Sequence, residues 1–218
     1  MCFDESAIRR GRAALALLLT GALLVLLAPA ARSDQPPTAG RPAPPFSLSD
    51  VSGKKRSPIS EYRGRRIALF FFCGCSWCYD VATEWARLQR GDALAAEGRP
   101  GEKAPISVVV YSGLDPAASR TLAGGAGLDP AQTVLLPEPD MRVTEKVYRA
   151  EPCPRVFVVD GRGVVRYTNT GKDDAPREAP AELIAARALD ALRTALAKSK
   201  PESTDNAGGT PGEGRSKR

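Results

Sequence analysis

Three cysteines end a single apolar run in residues 67–78, I-A-L-F-F-F-C-G-C-S-W-C, and another, Cys153, stands between two prolines much later in the chain. Two thiols separated by two residues can pass between dithiol and disulfide, and the thiolate is the reactive form of each. Residues 67–72 are β-branched and aromatic, the composition of a strand buried on both faces. After the cysteines, Val81, Ala82, Trp85, Ala86 and Leu88 recur near helical spacing. Cys75 and Cys78 are therefore expected where a buried strand hands over to a helix, beside unpaired N–H groups and the positive dipole end. A thiol so placed ionises more readily. Cys75-Ser76-Trp77-Cys78 is a candidate redox pair.

Composition narrows the chemistry further. The chain contains no histidine, which excludes Ser–His–Asp triads, Cys–His nucleophiles and every histidine-containing metal site. Its formal charge is +6, yet the basic residues are scattered without a basic aromatic stripe, so no nucleic-acid partner is expected. A length of 218 residues accommodates one ordinary domain with extensions.

The extensions are legible. Arg9, Arg10 and Arg12 precede an apolar run over residues 13–27, and Ala28-Pro29-Ala30 offers a small-x-small cleavage site. Residues 1–30 read as an export signal, with an uncleaved anchor as the alternative, although the run is short for spanning a bilayer. Either places the remainder outside the cytoplasm, where disulfides persist; a membrane is a partner only if this segment is retained. Cleavage removes Cys2 and leaves Cys73, Cys75, Cys78 and Cys153. Residues 31–45 form a Pro-rich spacer, expected to be extended and exposed. Residues 46–198 carry the folded domain, and residues 199–218, rich in Ser, Gly, Pro, Glu and Lys, form a disordered tail.

Within the domain, a short strand at 46–48 is followed by a turn at 51–54 and a bend at Tyr62-Arg63-Gly64. Residues 106–111 read as a second central strand. A helix is expected over 115–123, capped by Asp115 with Pro116 at its first position and ended by Gly124-Gly125. A strand at 133–136 and a helix at 140–148, with Asp140 as cap, come next. Strands at 155–160 and 164–167 flank the tight turn Gly161-Arg162-Gly163 and must be antiparallel. An amphipathic helix covers 181–196. Strands alternating with helices and closed by an antiparallel pair predict an α/β domain, a mixed sheet flanked by helices.

Several of these stretches together resemble a known family. Residues 40–48 (G-R-P-A-P-P-F-S-L), Tyr62-Arg63-Gly64, the strand leading to Cys75-x-x-Cys78, and residues 154–160 (P-R-V-F-V-V-D) are similar to the redoxin (AhpC/TSA) branch of the thioredoxin superfamily. The resemblance runs from about residue 40 to 196 and is strongest to extracytoplasmic thiol–disulfide oxidoreductases of the TlpA type. It implies a thioredoxin-like fold with an N-terminal redoxin-type strand extension. It implies that Cys75 attacks a substrate disulfide and Cys78 resolves the mixed disulfide, with no cofactor. Partners would be protein thiols or disulfides and an upstream thiol electron donor. It places Pro154 as a cis-proline facing the CxxC, so that Cys153-Pro154 presents a backbone edge to substrate. Trp77 then reads as a lid, and Trp77, Cys153 and Pro154 as substrate-binding residues.

Departures from the family pattern leave alternatives open. Gly74 rather than Trp precedes Cys75, and Trp77 precedes Cys78; a shifted alignment makes Cys78 the leading nucleophile and puts Val81 in the second position. The strand lacks the buried carboxylate of many thioredoxins, since Leu69 or a Phe occupies that region. Asp80 and Glu84 could shuttle protons or simply be solvated helix surface. Arg155 could steer an acidic substrate or be an exposed strand residue. Cys73 reads as buried filler. Cys153 could form an alternative disulfide, and Cys73, Cys75, Cys78 and Cys153 together could in principle make a four-thiolate zinc or iron–sulfur site, which export and oxidation disfavour. The rival enzyme class is a peroxiredoxin-like thiol peroxidase. It needs Thr or Ser three residues before its cysteine and an Arg above it, and this chain aligns Cys75 and Pro154 there.

Overall fold

Six consecutive apolar residues can only be accommodated where both faces of a strand are covered, and the sheet is built around that requirement. The computed structural model describes residues 35–91, 103–169 and 179–197. The signal or anchor at 1–30 and the tail at 199–218 lie outside the described residues, and among these no helix is long and apolar enough to cross a membrane. The elements run β1 (Leu48–Ser49), β2 (Lys55–Arg56), α1 (Pro58–Glu61), β3 (Ile67–Phe72), α2 (Ser76–Arg90), β4 (Ile106–Ser112) and α3 (Pro116–Ala126). They continue with β5 (Thr133–Glu138), a π-helix (Val143–Tyr148), β6 (Arg155–Val159), β7 (Val165–Thr168) and α4 (Ala181–Ala197).

Five strands form one sheet in the order β5-β4-β3-β6-β7, and β1 pairs with β2 in a separate hairpin. β3 runs parallel to β4 and antiparallel to β6, and β6 is antiparallel to β7. The central strand therefore bonds to a neighbour on each side. Its alternate side chains enter two cores. Ala68, Phe70 and Phe72 pack with Val81 and Trp85 of α2 and Ile184, Ala188 and Leu192 of α4. Ile67, Leu69 and Phe71 pack on the other face with Phe46, Ile59, Val143 and Tyr148. Every residue of β3 is buried, and each of its Ile, Leu and Phe side chains contributes on the order of 1.5–3 kcal/mol relative to exposure.

The helix carrying the cysteines is fixed to the sheet by polar contacts as well. Trp85 Nε1 donates to Ser107 Oγ at 2.8 Å, and Gln89 Nε2 donates to Ser107 Oγ and Thr133 Oγ1 at 3.1 Å each. These groups are buried and partnered, so they orient α2 without the cost of an orphaned polar atom.

Four local expectations change. The helix expected to end at Gly124-Gly125 continues to Ala126 and is closed by Gly127 at φ 73°. The reason is packing: Tyr79 Oη donates to Gly125 O at 2.7 Å, and a Cβ at Gly125 would sit 3.3 Å from that hydroxyl. The glycines admit α2 rather than stop α3. The helix expected over 140–148 is a π-helix confined to Val143–Tyr148. Its N-terminus is satisfied mainly by the buried Glu138, which accepts from Val143 N, Thr144 N and Thr144 Oγ1, while Asp140 accepts only from Arg142 N at 3.4 Å. The first strand begins at Leu48, with Leu48 opposite Arg56. Residues 40–43, expected in the exposed spacer, instead lie along the hairpin: Gly40 N donates to Val165 O, Val165 N to Arg41 O and Ala43 N to Gly163 O, and Ala43 is buried. They cover part of the outer edge of β7, which would otherwise present unpaired backbone groups.

Candidate active site

The apolar run stops at Phe72, and two residues with different constraints turn the chain into α2. Gly74 adopts φ +80°, a conformation L side chains rarely take, and a Cβ there would lie 3.1 and 3.2 Å from the methyls of Leu114 and Leu122. Cys75 follows in extended backbone as the N-cap of α2, with its carbonyl accepting from Tyr79 N at 3.0 Å. Cys78 lies in the first helical turn. The strand-to-helix handover expected of the CxxC is thus present, and the glycine between Cys73 and Cys75 is what makes it sharp.

Exposure separates the two thiols. Cys75 is exposed and Cys78 is 1% exposed, and their sulfurs are 3.5 Å apart. Burial pushes the Cys78 thiol up to about 12, with the neighbouring Cys75 acting in the same direction. Cys78 is therefore protonated at neutral pH. Burial likewise raises Tyr111, which lines a small cleft with Gly74, Cys78 and Leu122.

Cys73 is not filler. It is disulfide-bonded to Cys153, with Cα atoms 6.3 Å apart and a separation of 80 positions in sequence. The antiparallel register explains the pairing. Phe71 lies opposite Arg155, and continuing two residues past that pair sets Cys73 opposite Cys153. Cys153, whose backbone is expected to meet substrate, thereby has its side chain tied to the end of β3. Among the described residues the four sulfurs of Cys73, Cys75, Cys78 and Cys153 all lie within 4.8 Å of one another, and Cys73 Sγ is 3.9 Å from Cys78 Sγ. Four thiolates at that spacing could surround a single soft cation, but the disulfide withdraws two of them.

The loop before β6 holds cis peptides at Cys153-Pro154, as the family pattern implies, and at Glu151-Pro152, which nothing in the sequence signalled. It is anchored by a residue that sequence reasoning missed. Asn169, just beyond β7, accepts from Val156 N at 2.9 Å through Oδ1 and donates to Pro154 O at 3.1 Å through Nδ2. Its side chain extends the ladder beside the cis-proline. Arg155 is neither exposed nor free to steer substrate: it is buried, and its guanidinium donates to Glu151 O at 3.0 Å and Asn169 O at 3.4 Å.

The remaining sequence candidates are dispersed. Trp77 is half-buried against the core on the α2 side, with its indole Nε1 buried. Asp80 is exposed on α2. Glu84 pairs with Arg87 at 2.8 Å and lies about 9 Å along the helix axis from Cys78. No carboxylate occurs on β3, as Leu69 and its phenylalanines indicate.

Comparison with known proteins gives a consistent architecture. No protein-family model matches the chain, and no curated protein does. Among solved structures it is similar to the peroxidoxin BcpB of Mycobacterium tuberculosis, at 18% identity and TM-score 0.56, over 72% of this chain and 97% of that one. It is also similar to a putative thiol:disulfide interchange protein, DsbE, of Chlorobium tepidum, at 20% identity and TM-score 0.52, over 72% and 99%. A third is a secreted Mycobacterium tuberculosis disulfide oxidoreductase homologous to Escherichia coli DsbE, at 14% identity and TM-score 0.50, over 66% and 95%. The chain has a thioredoxin-like fold, a mixed five-stranded sheet flanked by helices.

Proposed function

We propose that this chain is an exported thiol–disulfide oxidoreductase that exchanges disulfides with protein thiols through Cys75 and Cys78. The observation that carries the reading is one exposed sulfur at the mouth of a helix with a buried sulfur 3.5 Å behind it. Cys75, as thiolate, attacks a sulfur of a substrate disulfide, and the other substrate sulfur leaves as a thiolate and takes a proton. Cys78 then loses its proton and attacks Cys75 Sγ, releasing the substrate's second thiol and leaving a Cys75–Cys78 disulfide. An upstream thiol donor restores the pair. Because burial keeps Cys78 protonated at rest, it waits as the resolving group, which supports Cys75 rather than Cys78 as the leading nucleophile. Trp77 and the edge at Cys153-Pro154 would receive the extended substrate chain. Export rests on the basic and apolar start of the chain, and intact-mass measurement of protein from its native envelope should find a terminus near Ala31.

The peroxidase alternative has less support. One similar structure is a peroxidoxin, but a peroxidatic thiolate needs a hydroxyl and an arginine over it. Cys75 occupies the position three residues before Cys78, and the arginine beside Pro154 donates to backbone carbonyls. Stopped-flow oxidation by hydrogen peroxide, run beside exchange with a protein disulfide, separates the two. Exchange that is lost in Cys75→Ser, with peroxide oxidation near the rate of free cysteine, is the expected result. Peroxide rates many orders above free cysteine would overturn it.

A further inference from the structure

A disulfide and a dithiol lie in one cluster: all four sulfurs of Cys73, Cys75, Cys78 and Cys153 lie within 4.8 Å of one another. Cys78 stands between the two pairs, with its sulfur 3.5 Å from Cys75 Sγ and 3.9 Å from Cys73 Sγ. The same antiparallel register that brings Cys73 to Cys153 sets their bond beside the first turn of α2.

We propose that Cys73–Cys153 is a second redox couple that exchanges internally with Cys75 and Cys78, so that the domain holds two interconvertible disulfide equivalents. This rests on the oxidoreductase reading above. The exchange is complete within the molecule. Cys78, deprotonated, attacks Cys73 Sγ; the Cys73–Cys153 bond breaks, a Cys73–Cys78 bond forms, and Cys153 leaves as a thiolate and is protonated. Cys75, deprotonated, then attacks Cys78 Sγ; the Cys73–Cys78 bond breaks, a Cys75–Cys78 bond forms, and Cys73 leaves and is protonated. Two electrons pass from the Cys75/Cys78 dithiol to the Cys73–Cys153 disulfide. Two protons lost by the first pair are regained by the second, and no outside oxidant takes part.

The geometry assigns each sulfur a place in the sequence. Cys75, the exposed one, is the port through which outside thiols enter. Cys78 is the hinge of the exchange because both partners touch it. The inner couple is half-buried, with Cys153 next to the cis-proline where substrate would dock. Burial holds Cys78 protonated, which slows the first attack, while contact at near van der Waals distance supplies an effective concentration that a free thiol lacks.

The test uses protein carrying both the Cys73–Cys153 and Cys75–Cys78 disulfides. It is mixed with one equivalent of dithiothreitol, quenched in acid at intervals, alkylated, and mapped by peptide mass. The expected result is that Cys73–Cys153 is reduced at least tenfold faster than in Cys75→Ser/Cys78→Ser, where only direct attack remains. A Cys73–Cys78 species should be captured on the way, and in greater yield from Cys75→Ser. Equal rates in the two proteins, with no Cys73–Cys78 species, would overturn the proposal and leave the bond a staple. Exchange of the unmutated protein with a protein disulfide is followed in parallel. If that exchange runs through Cys75 while Cys73–Cys153 stays intact, the internal step fails and the oxidoreductase reading stands. If neither reaction occurs, both fail. Circular dichroism of the double variant establishes that its slow rate belongs to a folded protein.

Discussion

Replacing Cys75 by serine, in a chain where Cys73 and Cys153 are also serine so that no internal disulfide captures Cys78, isolates the buried thiol and allows its reactivity to be worked out in advance. Cys78 lies at about 12 against an ordinary value of 9.0, so its thiolate population at neutral pH is about a thousandfold below that of an ordinary thiol. A more basic thiolate is intrinsically the better nucleophile. With a Brønsted coefficient of about 0.4–0.5, the gain over this interval is about fifteen- to thirtyfold. Loss of Cys75 also removes a neighbour that raises Cys78, so alkylation roughly thirty to sixty times slower than free cysteine is the upper limit of the slowing that ionisation alone imposes on this variant, before any further slowing from its 1% exposure. The assay is iodoacetamide labelling between pH 6 and pH 10, quenched and read on the peptide bearing Cys78. The rate should climb with pH across the whole range without levelling off. Labelling at the rate of free cysteine at pH 7, or a plateau below pH 9, would show that burial does not control this thiol and would remove the argument that it waits as the resolving group.

Other perturbations follow from particular contacts. Gly74→Ala places a Cβ against Leu114 and Leu122 at φ +80° and should destabilise the fold by about 1–2 kcal/mol, seen as a lower thermal midpoint with slowed disulfide exchange. Asn169→Ala strands the Val156 N–H and the Pro154 carbonyl, at about 1–3 kcal/mol for each buried group left unpaired, and urea unfolding should show the loss. Asp50 is raised by burial but held down to about 2 overall by hydrogen bonds from Ser52, Arg56 and the Ser52 and Lys54 amides. Because its folded value is the depressed one, the stability it contributes is present above the unfolded value near 3.8 and disappears as pH falls toward 2. Asp50→Asn should therefore lose about 1–2 kcal/mol at pH 7, after allowance for screening near the surface, and the difference from the unmutated protein should shrink below about pH 4 and be lost as pH falls through about 2 in acid titrations of stability.

Much of this architecture was legible because the signals are local. A fully apolar β3 demands two covered faces, Asp115-Pro116 announces a helix start, and Gly161-Arg162-Gly163 can only be a tight turn between antiparallel strands. The position of the CxxC followed from those elements. What stayed hidden depends on contacts between distant segments. Gly124 and Gly125 look like a helix stop until Tyr79 is known to lie against them. Glu138 caps the π-helix from the end of a strand, an arrangement with no sequence spacing of its own. Asn169 reads as a polar residue after a strand, and only the hairpin brings it to Pro154. The Cys73–Cys153 pairing was within reach: placing β6 antiparallel beside β3 and extending the register would have set the two cysteines opposite each other.

The span of the Cys73–Cys153 bond has a consequence of its own. In an unfolded chain, closing a loop of 80 residues is less probable than closing the short Cys75–Cys78 ring, by about 3 kcal/mol on polymer loop statistics. A chain without tertiary order would thus collect its disulfide locally, at the CxxC. The long-range isomer gains its advantage only when β3 and β6 lie in register, so the ratio of the two isomers measures how firmly that strand pair is held. The cysteines of this site record the state of the sheet beneath them.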